Sequence, residues 1–223
     1  AYPYLVLVVG MSFTPQSAAL GLVMLAFTAL ARNQGLKTFA LIVLAAMFHL
    51  SAAGMLFILL ALKEKSKLFY SLVWTAALVA PAAVLYMIQD YLFGVYVSRN
   101  LSSEAALVRA LMNALPALIW LFLKVKICGN EHVPRMWNLL AGASLVLAIC
   151  VPFVPFNTIL DRFGIYFIPI QIHIATLLAT NKKVPLWDKV VFMIAIFYVY
   201  MLVFFVYFYF GHHADSLMPY QIV

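Results

Sequence analysis

Long apolar runs separated by short polar clusters set the pattern of the chain. They cover roughly Tyr2–Phe13, Gln16–Ala31, Thr38–Leu62, Leu68–Phe93, Ala105–Leu123, Met136–Phe153, Phe163–Thr180 and Val190–Phe210. Breakers and charges divide them at Pro15, Asn33-Gln34-Gly35, Lys63–Lys67, Ser98–Glu104, Lys124–Arg135, Pro152–Asp161 and Asn181–Lys189. Strands of a membrane barrel would alternate apolar and polar residues with period two, and these runs are continuous. At about 20 apolar residues per spanning helix, the length predicts an all-α, polytopic membrane protein of about seven or eight membrane segments. Residues 1–223 then form a single integral membrane domain, since no polar interval exceeds a loop. The run Thr38–Leu62 carries Phe48-His49-Leu50-Ser51-Ala52-Ala53-Gly54 at its centre. It is either one kinked span or a re-entrant pair of half-helices.

Composition excludes a water-soluble domain. Hydrophobic residues make up 67% and charged residues 9% of the chain, against about 45–50% and about 25% in soluble proteins. The opening AYPYLVLVVG lacks the basic stretch and cleavage site of a signal peptide. It reads as the tail of an earlier segment, so the chain is expected to lack N-terminal membrane helices of a longer protein. Cys128 and Cys150 have no metal-type or disulfide spacing.

Charge sorting suggests an orientation. Short loops rich in Lys and Arg face the cytoplasm. With Thr38–Leu62 re-entrant, 11 of the 14 basic residues fall on one side; with it spanning, the split is nine to five. The first arrangement is favoured. It gathers all nine lysines inside, where they anchor helix ends, and leaves Arg99, Arg109 and Arg162 outside. The net charge of +7 is thus explained by inner loops, and nucleic acid is not implied.

Arginine presents a planar fork suited to phosphate and carboxylate, and ionisable groups at membrane depth usually face a cavity or a partner. Arg109, Asn113, Pro116 and Trp120 fall on one helical stripe, and Arg162, Tyr166, Pro169 and His173 repeat its spacing. Two such stripes, each headed by an arginine, suggest a lined outer pocket. The alternative is that Arg109 pairs with Glu104 and Arg162 with Asp161 only to hold helices. His49 is suited to general-base work near neutral pH, or it is a packing hydrogen-bonder beside Ser51. His212 and His213 are adjacent and point in different directions, which argues against a metal site made from both. No H-E-x-x-H, G-x-S-x-G, P-loop or C-x-x-C occurs.

Several of these residues recur in order in a known family. The stretches Thr14-Pro15-Gln16-Ser17-Ala18-Ala19, Phe48-His49-Leu50-Ser51-Ala52, Glu104-Ala105-Ala106-Leu107-Val108-Arg109, Asp161-Arg162-Phe163-Gly164-Ile165-Tyr166, Pro169-Ile170-Gln171 and Pro219-Tyr220-Gln221 resemble the EpsG/Wzy-type polysaccharide polymerases over nearly the whole chain. One position departs. The family's first motif has an arginine before the glutamine, and here Pro15 stands there; Arg99 substitutes for that cation, or the chain is impaired. Proline is a natural first-turn residue for the following helix.

The resemblance implies a glycosyltransferase-C-like fold in the bacterial inner membrane, with the active site facing the periplasm. A glycan on undecaprenyl diphosphate would be transferred onto a lipid-linked repeat unit. His49 or Asp161 would act as base, and Arg109, Arg162, Gln16, Tyr166, Gln171 and Tyr220 would hold diphosphate and glycan. No metal or other cofactor is expected. Implied partners are the lipid-linked oligosaccharide, membrane lipids, and chain-length regulator and flippase proteins. The competing readings are a transporter or flippase of lipid-linked oligosaccharides, or another membrane glycan transferase such as a ligase or acyltransferase.

Overall fold

The computed structural model describes residues 14–62, 103, 106–128, 135–154, 157–182 and 184–210, with isolated positions between 71 and 94. The apolar run Tyr2–Phe13 and most of Leu68–Phe93 lie outside the described residues. No strand occurs among the described residues; the main α-helices are α1 (Thr14–Ala31), α2 (Gly35–Phe48), α3 (Ala106–Cys128), α4 (Arg135–Cys150), α5 (Thr158–Gly164), α6 (Pro169–Thr180) and α7 (Leu186–Phe210). Five stretches among these residues are long and apolar enough to cross a membrane: Thr14–Ala31, Ala106–Leu123, Arg135–Phe153, Thr158–Thr180 and Leu186–Val206. The multi-pass, all-α architecture predicted from the apolar runs is therefore the observed one.

Two compact units divide the chain, Ala18–Ile174 and a smaller one of Ala1–Ser17 with Ala175–Val223. In the smaller unit α7 follows Pro185, whose carbonyl accepts the Lys189 amide, and runs about 37 Å at 1.5 Å per residue. Its side chains are mostly exposed aromatic and aliphatic groups, Trp187, Phe197, Tyr198 and Phe205 among them, as suits a helix whose solvent is lipid.

Within the larger unit, α1 ends on local chemistry. Asn33 adopts φ 56°, the left-handed conformation that asparagine tolerates best after glycine. The Gln34 amide then reaches the Ala29 carbonyl at 3.0 Å and the Asn33 amide the Leu30 carbonyl at 2.8 Å. Helix α2 begins directly afterwards and stops at His49, whose backbone is extended at φ −152°, ψ 114°. The His49 amide closes α2 on Ala45, and its carbonyl opens the next helix by accepting the Ala52 amide at 2.9 Å.

That next helix, Leu50–Ala61, is 3-10 over 12 residues, longer than such helices usually run. Three residues per turn puts every third side chain on one line, and burial follows that period: Ala52, Met55 and Ile58 are fully buried, with Leu56, Leu59 and Leu62 beside them. Helix α2 packs against this segment while exposing Leu36, Val43, Met47 and Phe48. Neither leg reaches the roughly 30 Å of a hydrocarbon core: 14 residues at about 1.5 Å and 12 at about 2.0 Å give some 21 and 24 Å. The run Thr38–Leu62 is thus a hairpin of two half-length helices broken at His49, not one kinked span.

Helices α3 and α4 share the most extensive packing in the unit, and both bury small residues, Ala110, Ala114 and Ala117 on α3 and Ala141 and Ser144 on α4. Small side chains let helices approach closely where lipid provides no hydrophobic drive. The stretch 158–180 departs from the single helix expected from Phe163. It starts at Thr158, passes through a 3-10 turn at Ile165–Phe167 and resumes as α6. Pro169 causes the break. It has no amide hydrogen for the Ile165 carbonyl, which accepts the Ile168 amide instead at 3.2 Å.

Phe163 locks α5 to the hairpin. Its ring lies against Gly54 so closely that a Cβ there would sit 2.5 Å from Cε2, and Phe167 meets both Phe163 and Phe57 edge-on at centroid distances of 5.0 and 6.3 Å. Gly54→Ala is therefore expected to cost about 1–3 kcal/mol by overpacking, read as a lower melting temperature in detergent. Phe163→Leu in the same chain should recover part of it. An unchanged melting temperature for Gly54→Ala would show that this contact does not hold the hairpin.

Candidate functional site

Helix α5 carries two adjacent charges, Asp161 and Arg162, and each serves a different cluster. On one side, Arg109 of α3 grips Asp161 at two points, Nε to Oδ1 and Nη2 to Oδ2, both at 2.6 Å. Such fork-to-fork pairing is among the strongest and most directional side-chain contacts. Ser103 completes it, accepting from Arg109 Nη2 at 2.6 Å and donating to Asp161 Oδ2 at 3.0 Å. The Ser103 amide donates to Asn157 Oδ1 at 2.8 Å. The Asp161 side chain is only 11% exposed and that of Arg109 27%, so each charge depends on the other for its place in an apolar protein.

The second cluster sits at the hairpin break. His49 Nδ1 and Ser51 Oγ are 2.6 Å apart, and Ser51 Oγ lies 3.4 Å from the hydroxyl of fully buried Tyr166. Ser51 has one hydroxyl proton. If that proton goes to Tyr166, Ser51 accepts from His49 Nδ1–H and Nε2 is the bare nitrogen; if Tyr166 donates to Ser51, the Ser51 proton is free for Nδ1, so the tautomer decides which nitrogen is bare. An imidazole and two hydroxyls therefore cluster at the hairpin break.

Below Arg109 by one turn, Asn113 is buried. Its Nδ2 donates to the Gly164 carbonyl at 2.8 Å, and its Oδ1 accepts from Gln171 Nε2 at 2.6 Å. Two turns deeper, Trp120 Nε1 donates to Asn138 Oδ1 at 3.1 Å. His173 stacks on Trp137 with ring centroids 3.8 Å apart and meets Trp120 edge-on at 5.0 Å.

The stripe Arg109, Asn113 and Trp120 thus has partners along residues 157–173. Its second half does not keep one phase, because the 3-10 turn rotates Tyr166 toward Ser51 and His173 toward the tryptophans. Asp161 has Arg109 as an ion-pair partner, 52 residues away in the chain. Glu104 and Tyr220 lie outside the described residues, as do His212 and His213. Gln16 is buried in the first turn of α1 and belongs to the smaller unit. Gln171 is engaged by Asn113 in the interior. Sequence reasoning missed Ser103 and Asn157, whose only local signal is a polar residue just ahead of a helix. Among the described residues no group of three His, Cys, Asp or Glu gathers as a metal site.

A family model described as the EpsG family matches residues 1–222. The chain belongs to the EpsG family. No curated protein and no solved structure matches it. Membership in the EpsG family, with the apolar helices, makes this a multi-pass membrane protein and supports a membrane polysaccharide polymerase-like role, in which the substrates are lipid-linked and lie in the membrane.

Proposed function

We propose that this EpsG-family chain is a polymerase that moves a glycan from undecaprenyl diphosphate onto a lipid-linked repeat unit, at the periplasmic face of a bacterial inner membrane. What supports the reading is the pair of polar clusters on residues 158–166 of an apolar helical unit, His49–Ser51–Tyr166 on one side and Arg109–Asp161 on the other, with Arg162 next in sequence to Asp161. In the reaction the acceptor hydroxyl attacks the anomeric carbon, the bond to the diphosphate oxygen breaks, and undecaprenyl diphosphate leaves. Negative charge grows on the departing oxygens, and a fixed cation there lowers the barrier. Arg162 fits that role. The proton of the acceptor hydroxyl passes to His49 Nε2, which Ser51 and Tyr166 orient.

Asp161, the other candidate base, has both carboxylate oxygens engaged by Arg109 and Ser103. We assign it to holding Arg109 and α5 in place. Arg109 closes the diphosphate side of the site. Orientation rests on the lysine asymmetry of the loops, which puts the arginine-bearing helix ends outside.

The test is turnover of purified lipid-linked repeat units by the protein in nanodiscs, followed by gel resolution of the glycan. A ladder rising in repeat-unit steps is expected. Flipping of the lipid-linked unit across liposomes without any elongation would replace this reading with transport.

A further inference from the structure

At the α5–α6 break the Ile168 amide bonds Ile165, and the Gly164 carbonyl is gripped by a side chain from another helix: Asn113 Nδ2 donates to it at 2.8 Å. Because Gly164 O only accepts, the Asn113 amide can face it one way round; its Oδ1 must then meet a donor, and Gln171 Nε2 is that donor at 2.6 Å. Gly164 itself is buried, with Leu147 Cδ2 at 3.0 Å from where a Cβ would stand, so the carbonyl cannot turn away to another partner without repacking.

We propose that Gln171 and Asn113 form a relay that sets the position of α5, and with it Asp161 and Arg162, against Arg109 and His49. Resting on the polymerase reading, this makes both amides positioning residues and takes Gln171 out of substrate contact. The relay couples three elements. Gln171 on α6 orients Asn113 on α3, Asn113 holds the C-terminal carbonyl of α5, and Asp161 and Arg162 stand three and two residues before it. Asn113 is one turn from Arg109 on the same helix, so one face of α3 fixes α5 at two points, Arg109 at its middle on Asp161 and Asn113 at its end on Gly164.

Gln171→Glu separates positioning from bulk. The side chain keeps its shape, but an ionised carboxylate only accepts, so it draws Asn113 Nδ2 to itself and turns Oδ1 against the Gly164 carbonyl. Displacement of catalytic groups by about 1 Å can cost on the order of a hundredfold. We expect a loss of kcat of that size per folded molecule with KM close to wild type, a lower melting temperature because the new carboxylate is buried, and a smaller loss of kcat for Gln171→Met, which removes the donor without reversing the amide. A second readout needs no activity. Cysteines at 103 and 157, introduced as Ser103→Cys with Asn157→Cys, should oxidise to a disulfide readily, and more slowly once Gln171→Glu is added. Wild-type kcat in Gln171→Glu, a kcat loss that only follows the folded fraction, or an unchanged disulfide rate would each overturn the relay. If the parent chain makes no polymer while the disulfide rate still falls, the polymerase reading fails and the relay stands.

Discussion

Arg109→Lys is expected to abolish nearly all polymer formation while leaving a positive charge in place. The reason is geometric. Arg109 reaches both oxygens of Asp161 with Nε and Nη2, and Nη2 also reaches Ser103; an ammonium is a single point and cannot span that set. Asp161 then loses its fixed register, and Arg162, next in sequence, moves with it. A shift of about 1 Å in such groups is enough for about a hundredfold loss. Arg109→Met should go further and lower stability as well, because it strands the Asp161 carboxylate. Breaking a buried pair costs about 3–5 kcal/mol, and Arg109 is 27% exposed, so the lower part of that range applies. Glycan ladders from membranes with matched protein levels, together with melting temperatures in detergent, measure both effects. Ladders of normal length from Arg109→Lys would remove the two-point contact from the mechanism.

The helices of this protein are legible in its sequence because membrane burial leaves them as long apolar runs, and some of their ends because Asn33 stops one helix and Pro185 precedes another. The hairpin break was legible too: an ionisable ring, a hydroxyl and Gly54 in mid-run cannot sit in a straight lipid-facing helix without cause. The break after Gly164 was missed although its signal was present, since Pro169 removes the amide that the Ile165 carbonyl needs. The stripe on α3 was readable because helical spacing alone sets it. What faces the stripe was not. Asp161 lies beside Arg162 in sequence and beside Arg109 in space, and only the packing of α3 on α5 decides between them. For the same reason Gln171 reads from sequence as a polar residue for substrate, whereas folding buries it against an amide 58 residues away.

His49 is where bracing and chemistry make opposite demands, and two substitutions separate them. Asparagine in place of His49 can put its amide nitrogen where Nδ1 stands, keeping the donor to Ser51 while removing Nε2. Glutamine keeps more of the ring's bulk and also lacks a proton-accepting nitrogen. If His49 Nε2 takes the acceptor proton, both variants lose turnover by about 10²–10⁴-fold, the usual contribution of a positioned base. The Asn variant should also melt near wild type, because the bond to Ser51 and the chain reversal between α2 and Leu50–Ala61 persist. Binding of the lipid-linked repeat unit should survive in both, since Arg162 and the Arg109–Asp161 pair are untouched. If His49 only braces the hairpin, His49→Asn keeps its activity, and His49→Ala loses stability and activity together. Turnover, substrate binding and melting temperature of the three variants in nanodiscs decide the matter. An active His49→Asn protein would return the search for the base to the residues around α5.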